Sequence, residues 1–194
     1  MSRGSDWIQT YSIGQFWTLD PRPDEVRIKD IGHALSMLCR FTGHTHEFYS
    51  VAEHSVRVSI EAERRAYAAG CSQTEAETIA RWGLLHDASE AYLVDLARPV
   101  KRMPAMQPYR EAEARLMRVV AERFCLPGPE PTLVKEVDAI LCYTEARDLF
   151  PSVHPEWTWH AAPLPERIVP LEPRAAREWF KHRFLDLFPG EAWD

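Results

Sequence analysis

Prolines decide where this chain can be helical. They stand at Pro21 and Pro23, at Pro99, Pro104 and Pro108, at Pro127, Pro129 and Pro131, and then thickly from Pro151 to Pro173. Inside a helix, proline removes a backbone donor and clashes with the preceding turn, at roughly 3 kcal/mol. The stretches between these groups carry apolar residues three and four apart, the spacing of amphipathic helices. "DIGHALSMLCR" (30–40) predicts a helix with Asp30 as its N-cap. Ser50 can cap a second helix, with Glu53 at the capping-box distance and Gly70 as its stop. "SQTEAETIARWGLLHDASEAYL" predicts a third helix, with Thr74 as cap and Glu77 three residues on. "DLARPVKRMPAMQP" reads as a proline-interrupted connection, and "YREAEARLMRVVAERFCL" (109–126) as a strongly amphipathic helix. "TLVKEVDAILCYTEARDLF" and residues 174–187 complete the helical set. Residues 151–173 cannot be regular helix and are long for a loop, so they form a lid or a wrapping segment.

The N-terminal part differs. "WIQTYSIGQFWTLDPRP" alternates loosely around Ser12-Ile13-Gly14-Gln15, which predicts a short β-hairpin ended by Pro21 and Pro23. The expectation is an all-α helical bundle with a small N-terminal β-hairpin, in one domain over residues 1–194. Residues 1–29 form the hairpin and extension, 30–149 the helical core, and 150–194 the wrapping segment and last helix. Composition agrees, with 45% hydrophobic and 27% charged residues. The net charge of −6 argues against binding a nucleic-acid polymer, which needs a basic face. No apolar run approaches the roughly 20 residues that cross a bilayer, and "MSRGSDWIQT" lacks the apolar core of a secretion signal. Cys39, Cys71, Cys125 and Cys142 form no C-x-x-C pair, so reduced thiols in a cytoplasmic protein are expected. Cys39 and Cys142 lie in apolar patterns and read as core filler.

Three of the helices bring polar residues onto the apolar stripe. His54 lies three after Val51 and four before Val58, away from Arg57, Glu61 and Arg64, which are expected on the wet side. The adjacent pair His86–Asp87 closes "IARWGLLHD". Asp138 has Val134 four before it, Leu141 three after it and Cys142 four after it. Singly, each has a plain structural explanation: a hydrogen-bonded core histidine, a chance dipeptide, an ion-pair partner for a buried arginine. Jointly they are more specific. A buried carboxylate or imidazole without a partner costs several kcal/mol, and a shared cation would satisfy all four. Two histidines and two aspartates make an N2O2 donor set that suits one divalent ion of the Mn, Co, Fe, Ni, Mg or Zn kind. Such a site can acidify bound water and polarise a phosphoryl oxygen.

"His … His-Asp … Asp" on successive helices resembles the HD-domain superfamily of metal-dependent phosphohydrolases. "SVAEHSVRVS", "LLHDASEAYLVDLARPVK" and "VKEVDAILCY" are similar to the branch that holds bacterial 5′-deoxynucleotidases and small dNTP and nucleotide phosphohydrolases. The likeness runs from about Asp30 to Leu149. "DIGHALSMLCRFTGHTHEFYSVAEHS" looks nearer to the triphosphate-acting members than to the monophosphatase. The resemblance implies an HD-domain helical bundle, metal ligands at His54, His86, Asp87 and Asp138, and catalysis by Glu90 with Asp87. Glu90 also lies four after His86, on the same face if the helix continues. By the same resemblance Arg40 and Lys101 match phosphate-binding positions, Phe41 an aromatic that discriminates the sugar, and Asp95 an acidic residue near the phosphate or 3′-hydroxyl. Guanidinium and ammonium groups suit phosphate; plain surface charge is an equal reading for Lys101 and a weaker one for Arg40, a core role is an equal one for Phe41, and Asp95 also reads as a turn cap. His33, His44 and His46 fit no further metal position, with phosphate contact left open for His44 and His46. His154 and His160 read as packing, and Glu47, Glu53 and Glu145 as solvated or capping carboxylates.

The expected activity is release of phosphate from (deoxy)nucleoside mono- or triphosphates by a metal-activated water. The alternatives are an HD-fold enzyme on another substrate, such as an alarmone, a cyclic nucleotide or an oxygenase substrate, and a non-catalytic nucleotide or metal sensor. The expected partner is a small nucleotide, with no membrane. A homo-oligomer, dimer or larger, is expected, with the helix at 109–126 as a candidate contact.

Overall fold

The computed structural model describes residues 3–194. Met1 and Ser2, at the start of the predicted N-terminal extension, lie outside the described residues. Two short strands, β1 (Ile8–Gln9) and β2 (Gln15–Phe16), pair antiparallel with Ile8 opposite Phe16. The chain then folds as helices: α1 (Ile28–Met37), α2 (Val51–Ala68), α3 (Gln73–Leu85), α4 (Glu90–Leu93), α5 (Arg98–Lys101), α6 (Gln107–Arg123), α7 (Thr132–Leu149) and α8 (Pro173–Leu187). The mainly α-helical fold with a small N-terminal β-hairpin is therefore present. No helix is long and apolar enough to cross a membrane among the described residues.

Helix α2 is the hub, packing most extensively on α3 and also on α7, α8 and α1. Val51, Ala52, Val56, Val58, Ala62 and Ala66 are all buried along it. Because it has neighbours on most sides, its polar residues are enclosed too. Glu61, expected on the wet side, is only 8% exposed and accepts hydrogen bonds from Arg64 and Arg65.

Local capping departs from expectation at two helices. α1 starts two residues before Asp30, whose carboxylate is drawn instead to the hairpin, where it accepts from Ser12 N and Ser12 Oγ. α3 is capped by Ser72, not Thr74, through a reciprocal capping box with Glu75. The pattern S-x-x-E occurs at Ser72–Glu75 as T-x-x-E does at Thr74–Glu77, and the earlier one wins because it satisfies the first orphan donors. α2 keeps its predicted cap, Ser50 Oγ accepting from Glu53 N. Gly70 follows it at φ +84, a left-handed position that suits glycine. The four cysteines are free, and Cys39 and Cys142 are half-buried rather than core residues.

Candidate metal centre

The site forms where α2, α3, α7 and the 38–50 loop meet. Arg40 N donates to Tyr49 O at 2.9 Å, and Val51 N to Leu38 O at 3.0 Å. This double tie folds the loop back on itself, with Phe41 and Thr42 both at positive φ. It sets Arg40 and Tyr49 beside the first turn of α2, where His54 is wholly buried. His86 terminates α3, and Asp87 follows in a tightened turn in which Ala88 N reaches Leu85 O and Glu90 N reaches Asp87 O. The helix therefore does not run on unbroken to Glu90; the chain tightens and restarts there as α4. Asp138 projects from α7.

His54, His86 and Asp87 each place a ligand atom within 4.8 Å of the other two, and the group could hold a metal ion. Asp138 adjoins it, with Oδ1 at 3.2 Å from His54 Nε2. Asp87 Oδ2 lies 3.2 Å from His86 Nε2 and 3.7 Å from His54 Nε2. Both rings are oriented from behind. His54 Nδ1 donates to Glu145 Oε1 at 2.6 Å, and His86 Nδ1 to Gly83 O at 2.8 Å. That fixes the tautomer: in the neutral rings the proton is on Nδ1, and each Nε2 turns a lone pair toward the carboxylates. Both Nε2 atoms are buried without a hydrogen-bond partner.

Lone pairs facing carboxylate oxygens repel unless positive charge lies between them. The titration tendencies express that demand. Burial acts to lower the His86 pKa, but the Asp87 carboxylate outweighs it and pushes the imidazole up to about 10. Burial and Arg40 act to lower His54, yet Glu145 and Asp138 leave it raised. Asp138 resists burial through its His54 contact and is held down to about 2. Asp87 is likewise lowered, His86 overcoming the effect of burial.

Glu145 is the main correction to the sequence reading. Expected to be solvated or capping, it is fully buried and accepts from His54, from Tyr49 Oη at 3.0 Å and from Arg40 Nε at 3.0 Å. Glu53 is not solvated either: its carboxylate accepts from Arg57 and from Leu171 N. Glu145 lies seven after Asp138, two helical turns along one face, which is the signal that could have found it.

The remaining candidates divide. Arg40 is close to the group, its guanidinium held by Glu145 and 3.7 Å from Asp87 Oδ2. Glu90 is buried with Oε2 unpartnered, and burial, reinforced by the charges of Asp87 and Asp95, pushes its carboxyl up to about 10. Asp95 is half-buried, and burial raises its carboxyl. Lys101 lines a pocket of about 310 Å³ with His86, Asp87 and Asp138, and its ammonium is paired there with Glu113. Lys135 and Glu130, 3.7 Å apart, line the same pocket and were not singled out from the sequence. Phe41 is not part of that lining. Its ring packs edge-on against Phe150 and Trp157, with Arg40 above it at 5.4 Å. His46 is tied through Nδ1 to Leu149 O, and His154 Nδ1 accepts from Glu156 N at 3.3 Å.

No family model matches the chain. It is 35% identical over 184 residues to the Escherichia coli K12 protein described as "Uncharacterized protein YfdR", covering 93% of this chain and 95% of that one. It is 34% identical over 152 residues to an uncharacterized protein of Rhodobacter capsulatus, covering 74% of this chain and 72% of that one.

Proposed function

We propose that this chain, which belongs to the family of Escherichia coli YfdR, is a divalent-metal-dependent phosphohydrolase acting on nucleotides. The observation that carries the reading is the pair of buried, unpartnered imidazole Nε2 atoms facing two carboxylates, each ring locked from behind. That is the preparation a metal ligand needs. The donor set, with His54, His86, Asp87 and Asp138 as ligands, suits one ion of the Mn, Co, Fe, Ni, Mg or Zn kind. When bound, the ion supplies Lewis acidity toward water and a phosphoryl oxygen.

The chain's own residues supply the rest. Glu90, a buried carboxyl with a free oxygen, orients the attacking water, with Asp87 beside it. Arg40 keeps a permanent positive charge against the carboxylates, where a phosphoryl group would build negative charge. Lys101 exchanges its Glu113 partner for substrate phosphate. The sequence resemblance to HD-domain nucleotidases supplies the substrate class, with 2′-deoxynucleotides preferred.

The test is phosphate release from ribo- and deoxyribonucleoside mono- and triphosphates, with Mn²⁺, Co²⁺, Mg²⁺ or a chelator. Release that needs metal and falls by about 10²-fold or more in Asp87→Ala and Glu90→Ala is the expected result. Metal binding without turnover of any nucleotide points to a sensor or another reaction. No metal binding removes the reading altogether.

A further inference from the structure

Val94, a β-branched residue, ends α4 at φ +66 and ψ 155. That region is essentially reserved for glycine, and a valine in it is strained. Such a conformation persists only where its surroundings over-determine it. Packing does not, since Val94 is 47% exposed. Hydrogen bonds do. Val94 N donates to Glu90 O at 2.9 Å. Tyr109 Oη, from the first turn of α6, donates to Val94 O at 2.8 Å and stands 3.3 Å from Leu93 O. Burial, with the carboxylates of Glu113, Glu90 and Asp95 nearby, holds the Tyr109 phenol above its usual pKa, so it keeps the proton it donates. Arg110, the next residue, reaches the other end of the same connection, donating to Lys101 O at 2.6 Å and to Met103 O at 2.9 Å. Two adjacent side chains of α6 thus hold both ends of the segment that carries Asp95 and Lys101. Lys101 lines the pocket of the metal centre. Asp95 lies close enough to feel the charges of Arg40, Asp87, His54 and Lys101.

We propose that Tyr109 is a positioning residue for the substrate pocket: its hydroxyl holds Val94 in the strained turn, and the turn sets Asp95 and, beyond it, Lys101 beside the metal centre. The assignment rests on the phosphohydrolase reading above. Tyr109 acts through the backbone and is not part of the pocket lining. If Val94 returned to a negative φ, the chain would leave α4 in another direction and carry Asp95 with it. A displacement of about 1 Å in a positioning group can cost about 10²-fold in rate.

The experiment is a double-mutant cycle of Tyr109→Phe and Val94→Gly in the full chain, read in two ways. The first is chemical denaturation of chelator-treated protein. Val94→Gly raises the midpoint, because glycine takes this turn without strain and an exposed valine gives up little packing. Tyr109→Phe lowers the midpoint of the unaltered chain, and lowers it clearly less when combined with Val94→Gly. The second is phosphate release from nucleotides by the metal-loaded chain. Tyr109→Phe lowers kcat/KM by about tenfold or more, while metal affinity, read against a chelating dye, stays within about twofold. The double variant regains most of the lost kcat/KM. Additive midpoints overturn the proposal, as does a Val94→Gly variant less stable than the unaltered chain. So does turnover that Tyr109→Phe leaves intact, or that Val94→Gly fails to restore. If the unaltered chain turns over no nucleotide, the phosphohydrolase reading fails, and the midpoints alone decide whether Tyr109 holds the turn.

Discussion

Glu145 acts on the site through its neighbours, His54 and Arg40. Its carboxylate takes the His54 Nδ1 proton contact at 2.6 Å and is itself held by Arg40 and Tyr49. Glu145→Gln keeps the shape but loses the charge behind the ring, so metal affinity falls by about 10–100-fold; a competition titration against a chelating dye reads this directly. His86 gives a pH prediction. Its pKa is raised above the ordinary value to about 10. In chelator-treated protein its contribution to stability is therefore complete below about 6.5 and lost as pH rises through about 10. A metal must displace that proton, so apparent affinity climbs with pH by up to about tenfold per unit for each proton released. Calorimetry in two buffers of different ionisation enthalpy counts the protons. At this scale the sequence was informative about direction. Spacing alone turned His54 and Asp138 inward. It was silent about what stands behind them, because Arg40 and Tyr49 reach Glu145 from a loop about a hundred residues away in the chain.

Helices α2 and α3 carry His54 and His86, and one glycine sets their separation. A Cβ added at Gly83 would lie 2.9 Å from Ser59 Cα and 3.1 Å from Ser59 N, backbone atoms that cannot turn aside. Gly83→Ala therefore pushes the helices apart. The expected loss is about 1–3 kcal/mol of stability in chemical denaturation. Metal affinity falls with it, because the two imidazoles separate and the Gly83 carbonyl that holds His86 Nδ1 moves. If stability drops while metal binding does not, the helix crossing does not position the ligands. Gly83 stands inside "ARWGLL", where its only sequence meaning is a weakened helix; its packing role needs the neighbour. Helix existence was legible because proline groups and 3.6 periodicity agree. Helix starts were less so: Ser72 and Thr74 offer the same capping signature two residues apart, and the Asp30 carboxylate, in the first turn of α1, is taken by Ser12 of the hairpin, a contact that periodicity along the helix does not mention.

On the scale of the molecule, α7 works on two sides. Asp138 and Glu145 face the metal centre, while Thr144 and Asp148 hold the proline-rich segment that follows. Thr144 Oγ1 accepts from Leu164 N and Asp148 Oδ2 from Ile168 N, both at 2.9 Å. Glu53, from α2, accepts from Leu171 N at 2.8 Å. The segment is thus a strap, the wrapping form of the two the prolines allowed. Its anchors are invisible in the sequence because the strap has no periodicity and the anchors lie on other elements. Asp148 is the strongest of them, its side chain 2% exposed between Arg147 and Arg167. Burial opposes its charge, but the Arg147, Ile168 and Arg167 hydrogen bonds hold its carboxyl down to about 2. The strap's share of stability is therefore present above the usual carboxyl range and is lost as pH falls through about 2. Asp148→Ala removes it at neutral pH, at about 1–3 kcal/mol, and leaves the Ile168 N–H without its acceptor. Arg167 is already 70% exposed at the side chain, so the freed strap becomes a trypsin site. Limited proteolysis of Asp148→Ala beside the wild type reads the difference, with cleavage after Arg167 accelerated and the helices before it intact. Unchanged cleavage would mean that Thr144 and Glu53 hold the strap without Asp148.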